Sequence, residues 1–132
     1  MPAFPSAERR QFIQGAPVLH VPDVQAAACY YRDVLGFGWD FGNDGYSVVW
    51  GDNSAIHFVR DERLPAGVHL FQWIRDVDAC YREISARGAQ VEAPPADRPY
   101  GIRELAVRDI NGIVVIFGQD IEPDVGPGIE PG

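Results

Sequence analysis

The chain repeats itself. Residues 18–41, VLHVPDVQAAACYYRDVLGFGWDF, and residues 69–93, HLFQWIRDVDACYREISARGAQVEA, follow one plan: an apolar strand, an Asp-Val pair, a helical run carrying Ala-Cys-Tyr, a glycine and another strand. The period is about 52 residues, and a unit of that size cannot bury its apolar surface alone. Two such units must therefore share one fold.

Within each copy the signals are local. Asp23 can cap a helix whose apolar positions Val24, Ala27, Ala28, Tyr31 and Leu35 recur at helical spacing before Gly36 stops it. Asp76, Val77, Cys80, Tyr81 and Ile84 repeat the pattern, ending at Gly88. Short β-rich segments follow each helix: FGWDFGN, YSVVWG and AIHFVR in the first copy, AQVEA, IRELAVRD and GIVVIFG in the second. GND, GDN and DING mark the turns between them. The expected fold is α+β, two βαβββ modules, about 15–62 and about 66–119, within one domain spanning 15–120. Residues 1–14 lie outside the repeat as an N-terminal extension in which AERRQFI can form a short helix. Residues 121–132, rich in Pro and Gly, read as a flexible tail.

One helix covers one face of a four-stranded sheet, so each module leaves its other face free, and two such faces enclose a cleft. Strand alternation assigns the residues. Leu19, Val21, Ile56, Phe58, Leu70, Gln72 and Ile74 point toward the helices. Val18, His20, Ala55, His57, Val59, His69, Phe71 and Trp73 point into the cleft. Trp39, Phe41, Tyr46 and Trp50 are further aromatic candidates for its walls.

Charge narrows the function. The net charge of -8 excludes a basic face for nucleic acid and favours a cationic ligand. No apolar run approaches the roughly 18 residues of a membrane span, and no secretory signal opens the sequence, so the cytoplasm is the expected compartment. Cys29 and Cys80 lack metal or redox spacing and read as structural thiols. Nucleophile-elbow, phosphate-loop, dinucleotide and zinc-protease motifs are missing.

The segments VPDVQAAACYYRDVLGF, IRDVDACYREISARG and PYGIRELAVRDINGIVVIFG resemble the vicinal oxygen chelate superfamily, which includes glyoxalase I, extradiol dioxygenases, fosfomycin resistance enzymes and bleomycin resistance proteins. The last segment is similar to the Tyr/Trp-Gly-x-Arg-Glu and Asp-x-Asx-Gly pattern of the bleomycin resistance branch. The resemblance covers residues 16–119 and implies the paired-module fold, a homodimer, and metal-ligand positions at Ala16, His57, His69 and Ile116. Only the two histidines can ligate. A catalytic metal needs about three protein ligands, and Glu104 is the one nearby carboxylate that completes a set.

The expectation is a non-catalytic protein that sequesters a small aromatic, cationic, antibiotic-like molecule without a cofactor. Its site residues are His20, Trp39, Phe41, Trp50, His57, His69, Phe71, Trp73, Tyr100, Arg103 and Glu104, with Tyr100 and the Arg103-Glu104 pair at the cleft rim or module interface. A metal-dependent lyase, isomerase or dioxygenase using a divalent ion on His57, His69 and Glu104 is the alternative. A ligand-responsive or purely structural partner protein is the third.

Overall fold

Each repeat closes into a four-stranded sheet backed by its own helix. The computed structural model describes residues 11 and 13–121. Module 1 contains β1 (Val18–Val21), α1 (Val24–Asp33), β2 (Gly38–Gly42), β3 (Tyr46–Gly51) and β4 (Ser54–Arg60). Module 2 contains β5 (His69–Trp73), α2 (Val77–Ala86), β6 (Gln90–Asp97), β7 (Ile102–Arg108) and β8 (Val114–Asp120). The sheets run β1-β4-β3-β2 and β5-β8-β7-β6. In each, the first strand lies parallel to the last and the other pairs are antiparallel. The helix is the crossover that a parallel pair requires. The expected fold and its internal duplication are thus present.

The helices start and stop where their sequence dictates. Asp23 Oδ1 accepts from the Ala26 amide at 2.9 Å, and Asp76 Oδ1 from the Ala79 amide at 3.0 Å. Gly36 and Gly88 follow the two helices at φ of 89° and 94°, a left-handed turn that side chains disfavour. Val24, Ala27, Ala28, Tyr31 and Leu35 of the first copy are all buried, as are Val77 and Ile84 of the second. Against them pack Leu19, Val21, Val49, Ile56 and Phe58 from one sheet and Leu70, Leu105, Val107, Val115 and Phe117 from the other. Each large aliphatic or aromatic chain so buried contributes about 1.5–3 kcal/mol.

A single buried cluster runs through both modules, and specific bonds join them. The Tyr31 hydroxyl on α1 donates to Asp109 Oδ2 at 2.7 Å in the β7–β8 turn, with both residues buried. Asp109 Oδ1 accepts from the amides of Asn111 at 2.7 Å and Ile113 at 2.9 Å. The DING turn is therefore built around a buried carboxylate whose other oxygen is held by the opposite module. Arg87 Nε, just past α2, donates to the Val34 carbonyl past α1 at 2.9 Å.

Two expectations fall beyond this description. The short helix in AERRQFI and the flexible tail lie outside the described residues, apart from Gln11, Ile13 and Ile121. Gln14, placed in the extension, donates through Nε2 to the Asn53 carbonyl at 2.6 Å and so is tied to the β3–β4 turn.

Candidate functional site

Strand pairing assigns the face opposite each helix. In module 1, Val48 stands opposite His57, Trp50 opposite Ala55 and Tyr46 opposite Val59. Val18 lies opposite His57 and His20 opposite Val59 on the other side. This face therefore presents Val18, His20, Tyr46, Val48, Trp50, Ala55, His57 and Val59. In module 2 the equivalent face presents His69, Phe71 and Trp73 from β5, Val114, Ile116 and Gly118 from β8, and Glu104, Ala106 and Arg108 from β7.

Several large apolar side chains on these faces are open. Val18, Trp50, Phe71 and Trp73 are 40–49% exposed. Phe71 and Trp73 meet edge to face at 4.9 Å and 65°. Gly118 underlies Phe71, since a methyl there would stand 3.0 Å from Phe71 Cε1. The pair opens into a groove of about 1060 Å³. Phe37 and Ala55 of module 1 also line it, together with Asp52, Asp76, Glu83 and Arg75. Aromatic surface and carboxylates thus share one concavity.

Other expected residues stand elsewhere. Trp50 and His57 lie on the module 1 face outside this groove. Trp50 rests on Gly38, and His57 Nδ1 is hydrogen bonded to the Tyr46 hydroxyl. His20 Nδ1 lies 3.2 Å from Asp61 Oδ2, beside Arg63, Leu64 and Pro65 in a separate hollow of about 350 Å³. The amide and guanidinium of Arg63, with His20, hold the Asp61 carboxyl below its usual range.

Two assignments need correction. Trp39 pairs with Val49, and its Nε1 donates to Ser47 Oγ at 2.9 Å. Ser47 and Val49 point toward the helix, so Trp39 belongs to that side rather than the cleft. A bulge between Trp39 and Phe41 resets the alternation of β2. The side chains of Asp40 and Phe41 lie outside the described residues. Arg103 also points to the helix side, where it bridges Asp78 of α2 at 3.0 Å and Asp97 at the end of β6 at 2.8 Å. Adjacent strand residues face opposite ways, so Glu104 faces the cleft. It lies 3.6 Å from Arg98 Nε, with Tyr100 nearby. Partial desolvation, with the Glu104 carboxylate beside it, pushes the Tyr100 phenol up.

The donor set does not fit a catalytic metal. Ala16 and Ile116 offer no side-chain ligand atom, and Glu104 is paired with Arg98. Among the described residues no three His, Cys, Asp or Glu side chains converge. No reaction step through a metal follows from these residues.

The Glyoxalase/Bleomycin resistance protein/Dioxygenase superfamily model matches residues 14–117. No curated protein sequence matches the chain. Among solved structures, the chain is similar to a bleomycin-binding protein from bleomycin-producing Streptomyces verticillus, complexed with copper(II)-bleomycin. That match has 30% identity and a TM-score of 0.71, and it covers 83% of this chain and 97% of that one. A bleomycin resistance determinant encoded on transposon Tn5 is 22% identical with a TM-score of 0.72, covering 81% and 97%. TioX from Micromonospora sp. ML1 is 21% identical with a TM-score of 0.71, covering 81% and 98%. The last two likenesses concern the fold alone. Among the described residues no helix is long and apolar enough to cross a membrane.

Proposed function

Because the chain belongs to the Glyoxalase/Bleomycin resistance protein/Dioxygenase superfamily, we propose that it is a non-catalytic binder that sequesters a planar, cationic small molecule of the bleomycin type. The observation that carries this reading is the groove in which Phe71 and Trp73 meet the carboxylates of Asp52, Asp76 and Glu83. Aromatic faces attract flat rings and cations by about 0.5–2 kcal/mol each. Three carboxylates beside one guanidinium, that of Arg75, give the same concavity a negative bias. The bleomycin-binding protein at 30% identity supports the ligand class.

Binding alone suffices for sequestration, so the ligand leaves unchanged. This reading also takes the chain as a homodimer in which cleft faces of modules from different subunits meet across the ligand. The exposed Val18, Trp50, Phe71 and Trp73 support it, and sedimentation equilibrium tests it.

Calorimetric titration with bleomycin, metal-free and as the copper(II) complex, tests the binding. The expected result is saturable binding far tighter than millimolar, weakened about tenfold by Trp73→Ala, with bleomycin recovered intact by mass spectrometry. Binding no tighter than millimolar to either form refutes the sequestration reading.

A further inference from the structure

The module 1 face of the cleft holds a directed polar group beside a fixed flat ring. Tyr46 and His57 sit diagonally on neighbouring strands, because Tyr46 stands opposite Val59 and His57 opposite Val48. The Tyr46 hydroxyl is hydrogen bonded to His57 Nδ1, and the two rings meet edge to face at 5.5 Å and 88°. With the hydroxyl as donor, Nδ1 is the acceptor; the reverse direction requires the Nδ1–H tautomer. A neutral imidazole that accepts at Nδ1 carries its own proton on Nε2. That N–H finds no protein acceptor among the described residues. The parity of β4 directs it to the cleft.

Trp50 completes the arrangement. It stands opposite Ala55, two residues from His57, a diagonal separation of about 7–8 Å. A Cβ on Gly38 would lie 3.1 Å from Trp50 Cε2 and 3.3 Å from Cζ2. The absence of a side chain at Gly38 therefore lets one face of the indole rest on the backbone, while Trp50 remains 45% exposed.

We propose that Trp50 and His57 form a subsite for a planar ring bearing a hydrogen-bond acceptor. The ring stacks on the indole, and a carbonyl oxygen or ring nitrogen takes the Nε2 proton of His57. Tyr46 is a positioning residue that fixes the imidazole tautomer, and Gly38 positions the indole. The subsite lies on the module 1 face, outside the Phe71–Trp73 groove, and rests on the reading of the chain as a small-molecule binder. A ring without an acceptor leaves the His57 N–H unmatched when it displaces water, which is how such a site discriminates.

The test uses the full chain labelled with 15N-histidine, at about pH 8. Long-range 1H–15N correlation reads the tautomer without ligand. His57 is expected as the Nε2–H form in the wild type and as a mixture in Tyr46→Phe. Nicotinamide, a flat ring with a carboxamide acceptor, and 1-methylpyridinium, a flat cation without one, are then titrated. Nicotinamide is expected to shift His57 Nε2, and to bind about five- to tenfold tighter than 1-methylpyridinium. Tyr46→Phe and His57→Phe reduce that preference to below about twofold, while Gly38→Ala weakens both probes alike. An Nδ1–H tautomer in the wild type, an unmoved Nε2 signal or equal affinity for the two probes overturns the subsite. Because the probes are not bleomycin, the two ideas fail separately. Bleomycin that does not bind while nicotinamide behaves as expected removes sequestration and leaves the subsite. Bleomycin that binds without probe discrimination does the reverse.

Discussion

Replacing Tyr31 by Phe removes one oxygen from the join between the modules. The ring itself is fixed by packing, with Phe58 at 5.1 Å and Phe37 at 5.6 Å between centroids, so the substitution leaves the apolar contacts in place. What is lost is the 2.7 Å hydrogen bond to Asp109 Oδ2. Asp109 is only 4% exposed, and its other oxygen is already taken by two amides. A hydrogen bond to a buried charge contributes about 1.5–3 kcal/mol, so a loss of about 2 kcal/mol is expected. In a chain of this length that lowers Tm by roughly 6–10 °C.

Alkaline pH supplies an independent check on the same group. Burial, and after it the Asp109 carboxylate, raise the Tyr31 phenol far above its ordinary value of 10.0. Above that value the unfolded chain releases the proton and the folded chain keeps it. The stabilisation is therefore intact below pH 10 and declines as pH rises further, by about 1.4 kcal/mol per unit. Tyr30, also raised by burial, declines alike in both proteins. The difference between wild type and Tyr31→Phe should consequently be largest at pH 8 and shrink by pH 11. Urea unfolding at the two pH values, analysed at constant m, measures both. A difference below about 0.5 kcal/mol at pH 8, or one that does not narrow at pH 11, refutes the reasoning.

Further outcomes follow from other positions. Asp23→Ala and Asp76→Ala each remove the acceptor of a helix-capping bond and should each cost about 1 kcal/mol in denaturant unfolding. Arg103→Ala cuts ion pairs on the helix side, so calorimetry should find bleomycin affinity unchanged within about twofold. Burial, with Glu83 beside it, pushes the half-buried Cys80 thiol up to about 11, whereas Cys29 is exposed. Iodoacetamide at about pH 8 should therefore give one adduct per folded chain, mapped by mass spectrometry to Cys29.

The repeat carried most of the fold, because strand order, helix caps and the inward row on β5 all depend on local periodicity. Parity put His57, His69, Phe71 and Trp73 on the face opposite the helices, and strand register agrees, for the same reason. Trp39 counts as a cleft aromatic only by residue type, without a parity argument, and its pairing with Val49 puts it on the helix side. Arg103 and Glu104 read as a unit in the sequence, although neighbours on a strand face opposite ways. Tyr31 read only as an apolar helix position, since its partner lies 78 residues away and no local pattern encodes that distance. The Tyr46–His57 bond was within reach, because folding the GDN hairpin puts the two on adjacent strands and the same face.

The outer strands have a consequence for how copies of this chain meet. An edge strand with unpaired amides invites another strand to add to it, and this is how sheets polymerise. Here β6 carries Pro94 and Pro95, which have no amide proton to offer. The bulge in β2 twists its edge out of register, and β1 is only four residues long, between Pro17 and Pro22. Three of the four sheet edges are thus poor templates, a safeguard against fibrous aggregation that leaves broad-face contacts untouched.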